Sequence, residues 1–432
     1  MVDASAKDRR RPWPRLRFVV AGLLCLASAS NYLDRQALSV LADTIKVDLG
    51  FSATDYADIT SAFLLTYMVM YLVGGWIVDR IGTRWSFLIF ATLWSLATMA
   101  HGLANSVREF QAARLLLGAT QPVNFPAGVR AAAEWFPMRE RALAIGVFNA
   151  GTALGSTLAV PIVSAAALLA GWRWAFAIVG ALGFLWVAAW ALVYRLPKDH
   201  PRLGVDERRL IDEGREASGG PPPRLRALVC MRETWGCVAA RALTDPITYF
   251  LTFWVPLYLQ QERGFSLGQL GAVGWVPFAV YALGNVAAGA VPRALMARGL
   301  TLDRARKSWM LVVVVSNALA LLALANASGP VAALAWVSLV FFGHAAWGNI
   351  IFPAEVFPTR AVGTVSGLGG CLGAAAGIVT QQIIGRLAGA GAWTPIFLGC
   401  AVAYFVAQAL VVLLLPNLGR LRALPDRGGG DS

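Results

Sequence analysis

The chain alternates long apolar runs with short polar breaks from end to end. Apolar runs fall at about 18–41, 56–78, 85–104, 109–131, 141–170, 174–195, 234–259, 267–291, 308–326, 331–353, 362–388 and 393–415. About 20 mainly apolar residues in a helix cross a ~30 Å hydrocarbon core, so each run predicts one spanning helix. The count predicted is twelve. One long polar segment, 196–232, interrupts the series and holds Gly219-Gly220-Pro221-Pro222-Pro223, through which no helix continues. Within it Val205–Gly214 predicts a short amphipathic helix lying on the membrane surface. The expected organisation is an N-terminal tail 1–17, a six-helix bundle 18–195, a central loop 196–232, a second six-helix bundle 233–415 and a C-terminal tail 416–432. The fold class is all-α and polytopic.

Composition sharpens this picture. The chain is 57% hydrophobic and 14% charged, against about 25% charged residues in a soluble domain. Its net charge of +13 is what cytoplasmic loops rich in Lys and Arg give a polytopic protein, and calls for no nucleic-acid partner. Lys7, Arg9, Arg10, Arg11, Arg15 and Arg17 precede the first run, Arg80 and Arg84 follow the second, and Arg139 and Arg141 follow the fourth. The central loop, the break after the eighth run (Arg293, Arg298, Arg304, Arg306, Lys307) and the C-terminal tail (Arg420, Arg422, Arg427) continue the alternation. Both termini are therefore expected in the cytoplasm. The Ala27-Ser28-Ala29-Ser30 stretch looks like a signal-peptide cleavage site. The apolar pattern runs past it, so 18–41 reads as a retained first helix. Five scattered cysteines, three histidines and no metal-binding motif predict no disulfide framework, metal or cofactor, and no enzyme.

The halves carry a repeat. Glu134-Trp135-Phe136-Pro137-Met138-Arg139 follows the fourth run, and Glu355-Val356-Phe357-Pro358-Thr359-Arg360 follows the tenth, 221 positions later at Glu, Pro and Arg. Duplicated halves with a site between them at mid-membrane are a transporter design. Charges inside the runs point to that site. Asn31-Tyr32-Leu33-Asp34-Arg35 lies within the first run, with Asp34 about 24 Å along the helix from Phe18 at ~1.5 Å per residue. Charged groups at membrane depth normally face a bundle interior or a water path.

Between the second and third runs stands Gly75-x-x-x-Asp79-Arg80-x-Gly82-x-Arg84. Asp79 near a helix end is placed to pair with the loop arginines as a latch that breaks and reforms. This loop resembles the signature of the major facilitator superfamily, and the resemblance covers nearly the whole chain. The corresponding place in the second half is degenerate, Gly289-x-x-x-Arg293. A narrower resemblance rests on Asn31–Arg35, Arg114-Leu-Leu-Leu-Gly118, Asn124-Phe-Pro-Ala127, Gly171-Trp-Arg-Trp-Ala-Phe176, Leu243-Thr-Asp-Pro246 and Gly343-His344-x-x-Trp347. These are similar to the anion:cation symporter group and, within it, to proton-coupled hexuronate and related sugar-acid carriers. The absence of a Gly-Pro pair in Gly151–Val163 favours symport over proton exchange.

The resemblance implies a bacterial inner-membrane carrier that imports a small organic anion with protons by alternating access; because each chain holds its own site, a monomer is expected. It makes Asp34 the proton carrier, Arg35 its local partner, and Arg114 a coordinating or gating charge. Arg114 and Gln121 are seven apart and share a helix face, as do Asn149 and Thr152. A guanidinium binds a carboxylate bidentately, while Tyr67, Asn149 and Thr152 offer groups for sugar hydroxyls or, equally, for bonds between helices. His344, Trp347, Asn349, Gln381 and Gln382 are candidate sugar contacts of the second half, with core roles open for His344 and Trp347. Arg386 reads as a snorkelling residue. The family usually has Glu where this chain has Gln121, and an amide carries no proton. Asp245 is a substitute protonation site, or simply the partner of Arg241 four residues earlier. A carrier working by exchange, a carrier of aldonates or aromatic acids, and a non-transporting sensor are the other readings. Glu134, Arg139, Glu355 and Arg360 complete the set of expected conformational latches.

Overall fold

The computed structural model describes residues 13, 15–213 and 225–419, and every regular element among them is helical. The basic tail residues 7–11, the 219–223 breaker and Arg420, Arg422 and Arg427 lie outside the described residues. The first half contains α1 (Leu16–Leu49), α2 (Ala53–His101), α3 (Val107–Thr120), α4 (Asn124–Trp135), α5 (Met138–Ala170) and α6 (Trp172–Val193). Two short helices, α7 (Val205–Glu213) and α8 (Leu225–Val229), occupy the connection. The second half contains α9 (Arg232–Phe253), α10 (Val255–Gln261), α11 (Leu267–Val273), α12 (Val276–Ala297), α13 (Leu302–Ala325), α14 (Pro330–Trp347), α15 (Phe352–Val356), α16 (Thr359–Gly389) and α17 (Trp393–Leu414).

Local chemistry explains where these helices start and stop. Gly50 ends α1 at φ 67°, and Ser52 starts α2 by a reciprocal capping box with Asp55. The repeated Glu-x-x-Pro-x-Arg run has a structural counterpart: Pro137 and Pro358 are the N-cap residues of α5 and α16, both extended. Proline lacks the N–H that a helix interior needs. Pro122, Pro256, Pro277 and Pro353 accordingly sit at the first turns after the α3/α4, α9/α10, α11/α12 and α14/α15 breaks. Pro246 is an exception and lies inside an uninterrupted α9. The loop expected after residue 78 is not a loop. Helix α2 runs for 49 residues with Gly82 as its one non-helical position, at φ 77° and ψ 160°. A side chain rarely adopts that φ, so glycine lets the chain bend there without unwinding.

Nine helical segments among the described residues are long and apolar enough to cross a membrane. Their outer faces expose large apolar side chains, Leu169 at 88% and Leu192 at 80% among them. A bilayer covers such surface; water does not.

One packing scheme recurs in both halves. In the first, α1 packs on α5, α2 on α3, and α2 on α6; in the second, α9 packs on α16, α12 on α14, and α13 on α17. The halves meet through α2 against α16 and through α5 against α11 and α12. Small residues permit the closest approaches, as membrane helices require. A Cβ on Gly151 would stand 2.0 Å from the Cys25 carbonyl oxygen, and one on Gly155 2.1 Å from that of Ala29.

The closed end of the molecule is held by neutral or singly charged hydrogen bonds between halves. Tyr56 donates to the Phe253 carbonyl at 2.7 Å, Thr60 to Gln381 at 3.0 Å, and Gln261 to Asp43 at 2.8 Å. At the other end, which carries α7 and the arginine-rich breaks, no side-chain hydrogen bond or ion pair joins the halves among the described residues. There Glu207 of α7 accepts from the free Leu16 and Arg17 amides at the start of α1 and pairs with the Arg17 guanidinium at 2.8 Å. Arg17 also reaches Glu140 of α5 at 2.9 Å. The connecting helix is thereby fastened to the first half.

Gly155→Ala is expected to lower stability by about 1–3 kcal/mol through backbone overpacking. Thermal unfolding in detergent checks it, with Gly146→Ala as control because a Cβ there has open space. Equal melting temperatures for the two variants would contradict the α1–α5 contact.

Candidate functional site

A cavity of about 130 Å³ lies between the halves. Tyr32, Arg35, Tyr67 and Tyr71 line it from the first half, and Arg241, Asp245, Thr248, Tyr249, Tyr281, Asn285, His344 and Asn349 from the second. Its lining continues to Ile350 and Ile351, toward the end that carries the arginine-rich breaks.

Arg35 is the charge of the first wall. Its Nη2 donates to Tyr67 Oη at 3.2 Å and Asn31 Oδ1 at 3.4 Å, and its Nε to Gln121 Oε1 at 3.2 Å. Its guanidinium carbon lies 4.5, 4.9 and 5.2 Å from the ring centres of Tyr32, Tyr67 and Phe63. These partners are neutral, and Arg35 makes no ion pair among the described residues. Gln121 Nε2 donates to the Asn31 carbonyl at 2.9 Å, which fixes its amide with the oxygen toward Arg35.

Asp34 does not pair with Arg35, contrary to the expectation from sequence. Adjacent residues on a helix point about 100° apart, so one cavity wall cannot take both. Asp34 is 2% exposed, lies beside Thr98 of α2, and neither carboxylate oxygen has a hydrogen-bond partner among the described residues. Arg114 sits behind α1, bonded through Nη2 to the Arg35 carbonyl at 3.4 Å, with Nε and Nη1 unpaired. It shares Arg35 as neighbour with Gln121, as their seven-residue spacing required, but does not line the cavity.

The second wall has its charge neutralised. Arg241 meets Asp245 Oδ2 through Nη2 at 2.7 Å and Nε at 3.0 Å, and its Nη1 donates to the Ser366 carbonyl at 2.9 Å. Asn349 donates to Asp245 Oδ1 at 3.0 Å and to Thr244 at 2.8 Å. The intrahelical pair, one of the two roles open for Asp245, is formed. His344 is held by Thr248 at 2.7 Å and Tyr404 at 2.6 Å.

Five candidates are turned away from this cavity. Trp347 is 1% exposed and donates to Gln408 of α17 at 3.2 Å. Gln381 receives Thr60 and, at 2.6 Å, Trp254, so it belongs to the closed end. Gln382 likewise reaches Asp58 and Ser61 across the halves. Thr152 donates to its own helix at the Asn149 carbonyl, 2.8 Å away, while Asn149 is exposed; neither lines the cavity. Sequence reading missed Tyr32, Tyr71, Thr248, Tyr249, Tyr281 and Asn285. The available signal was polar side chains at three- or four-residue spacing, as in Tyr67/Tyr71 and Tyr281/Asn285, inside apolar runs.

The latch residues gather at the arginine-rich end with a different pairing from that expected. Asp79 pairs with Arg130 of α4 at 3.0 Å, not with Arg80 or Arg84. Arg130 also binds Glu134 at 3.0 Å and the Val78 carbonyl at 2.9 Å. Arg80 lies over Trp76, and Arg84 donates to the Ala191 carbonyl at 3.1 Å. Glu134 also accepts from Tyr194. In the second half Glu355 accepts from Arg306, which also donates to the Ala288 carbonyl. Both glutamates thus hold an arginine that caps a carbonyl of α2 or α12. Arg139 and Arg360 are exposed, and a Cβ on Gly75 would meet open space.

Comparison with known proteins agrees with this architecture. Residues 24–381 match the Major Facilitator Superfamily. A hexuronate transporter of Escherichia coli (strain K12) is 30% identical over 413 residues, 93% of this chain and 94% of that protein. A probable galactarate/D-glucarate transporter of the same organism is 29% identical, over 88% of this chain and 90% of that one. Among solved structures, a D-xylose-proton symporter superposes with a TM-score of 0.72 at 14% identity, covering 91% of this chain and 97% of that one. The chain belongs to the Major Facilitator Superfamily. It is a multi-pass membrane transporter, not an enzyme, and its relatives carry sugar acids.

Removing one partner of a buried ion pair leaves the other charge stranded, at about 3–5 kcal/mol. Arg241→Gln is therefore expected to destabilise the protein strongly, and Arg241→Gln/Asp245→Asn to recover most of the loss. Detergent unfolding of wild type, both single variants and the double variant gives the cycle. Additive losses would show that the two side chains do not interact.

Proposed function

We propose that this protein imports a hexuronate or related sugar acid by proton symport. The observation that carries the reading is Arg35, a guanidinium on a cavity wall with neutral partners alone. A carboxylate docked there gains charge-assisted, bidentate hydrogen bonds, and the neutral opposite wall of Thr248, Asn285 and Asn349 suits sugar hydroxyls. The hexuronate relative supports the choice of substrate.

Asp34 is the proton carrier in this reading. A buried carboxylate without hydrogen bonds or counter-charge is costly, and a proton removes the charge. Asp34 does not touch the cavity, so coupling runs through α1, which presents Arg35 on one side and Asp34 on the other. Arg114, bonded to the α1 backbone at Arg35, is the gating charge.

Counting α2 as two passages divided at Gly82, and α3/α4 and α9/α10 as one broken passage each, gives twelve spans in two pseudo-symmetric six-helix bundles. The arginine-rich end then faces the cytoplasm with both termini, in a bacterial inner membrane. The closed end is periplasmic, and the cavity opens inward. The latches of Asp79, Arg130, Glu134, Glu355 and Arg306 hold that inner end, and the chain works as a monomer.

A second reading, the same carrier with fewer coupled protons or working by exchange, is favoured by Gln121. The amide that touches Arg35 carries no proton.

Uptake into proteoliposomes under an inward proton gradient tests the first reading, with glucuronate, galacturonate and galactonate as substrates. Concentrative uptake is expected for at least one uronate, with Arg35→Lys about tenfold or more weaker because an ammonium lacks the planar fork. Asp34→Asn is expected to lose proton-driven accumulation; an undiminished response to the gradient would remove Asp34 from coupling. Gln121→Glu addresses the second reading. Its carboxylate would compete with substrate for Arg35 when ionised, so anion affinity should fall as pH rises. A pH profile identical to wild type would show that position 121 takes no part in coupling.

A further inference from the structure

Resting on the sugar-acid reading, we infer that Asp245 sets the charge of the acid this site accepts. A sugar acid with one carboxylate fits; the dicarboxylate of the same skeleton does not.

Two arginines line the cavity, one from each half. Such a pair would suit a substrate with a carboxylate at each end, and one relative is named for galactarate and D-glucarate. In this chain the two arginines are not equivalent. Arg35 has no carboxylate partner. Arg241 has all three of its nitrogens engaged: Nη2 and Nε bind Asp245 Oδ2 at 2.7 and 3.0 Å, and Nη1 donates to the Ser366 carbonyl at 2.9 Å. The other oxygen of Asp245 is taken by Asn349 at 3.0 Å. Both side chains are almost wholly buried, at 11% and 8% exposure. Arg241 therefore has its charge compensated by Asp245 and its Nε/Nη2 edge occupied.

The described residues lining the cavity thus carry one uncompensated positive charge. His344, the remaining titratable cation of the wall, has both ring nitrogens on the hydroxyls of Thr248 and Tyr404. With one carboxylate on Arg35, the far end of a six-carbon sugar acid meets Thr248, Tyr281, Asn285 and Asn349. The hydroxyls of Thr248 and Tyr281 and the amide oxygens of Asn285 and Asn349, whose N–H groups are bonded elsewhere, are the groups left to meet sugar hydroxyls. A second carboxylate would be stripped of water among neutral groups, beside the carboxylate of Asp245, with no free cation to receive it.

Competition against radiolabelled glucuronate at neutral pH tests this, using unlabelled glucuronate, glucarate and glucose on purified full-length protein. Both carboxyls of glucarate are ionised at that pH. Glucarate and glucose are each expected to compete about tenfold or more weaker than glucuronate, the lower end of what leaving a buried polar group unsatisfied costs. Asp245→Asn releases Arg241 and should shrink the glucuronate-to-glucarate ratio about tenfold, and Arg241→Gln/Asp245→Asn should restore it. Equal competition by glucarate and glucuronate in the wild type would overturn the inference while leaving the sugar-acid reading intact. An unchanged ratio in folded Asp245→Asn would overturn the role of Asp245. Failure to bind glucuronate at all would remove the sugar-acid reading and the inference with it. The wild-type comparison decides the charge preference even where the variants do not fold.

Discussion

A guanidinium held at membrane depth without a carboxylate is the constraint around which this structure is arranged. Arg35 keeps its charge because amide and phenol oxygens and three aromatic faces surround it. Each cation–π contact contributes about 0.5–2 kcal/mol, less than a direct ion pair in a dry site. The charge is stabilised but not quenched. Neighbouring features follow from that need. Gln121 is oriented by Asn31, Tyr67 presents its oxygen rather than its hydrogen, and α3 approaches α1 closely enough for Arg114 to bond the Arg35 backbone. The opposite wall solves the problem differently, by giving Arg241 its own carboxylate.

The two ends of the molecule also differ in kind. The closed end is joined across the halves by a handful of hydrogen bonds, two of them to aspartates. A hydrogen bond in such a setting contributes about 0.5–1.5 kcal/mol net, so the closure is shallow. At the arginine-rich end the ion pairs lie within a half, fastening α2 to α4, α13 to α15, and α7 to α1. Each half is thereby braced internally at that end, where no side-chain hydrogen bond or ion pair joins the halves among the described residues. That combination is what rocking about a fixed site requires. A second hollow of about 250 Å³ lies within this latch, between Gly82, Arg84, Arg130, Glu134 and Arg195.

Much of the architecture was legible because a bilayer leaves few options. Apolar runs of spanning length must be helices, since hydrocarbon offers no partner for backbone N–H and C=O groups. The Glu-x-x-Pro-x-Arg repeat likewise marked real equivalence, because proline can start a helix but not continue one. The helix breaks were less legible: Gly82 bends α2 where a loop was expected, and Pro246 stays inside its helix. Both outcomes depend on packing against neighbours.

The sequence by itself determined that this chain spans a membrane, that it is internally duplicated, and that Asp34, Arg35, Arg114 and Asp245 are charges lying inside its apolar runs. Hydropathy and spacing are local properties and are written in one dimension. Tertiary structure alone decided which charges meet. It separated Asp34 from Arg35 by the 100° turn of a helix, gave Asp79 to Arg130 from a distant segment, and turned Trp347 and Gln381 away from the cavity. Partner choice depends on the rotation of one helix against another, and that rotation is fixed by where small residues such as Gly151 and Gly155 let backbones touch.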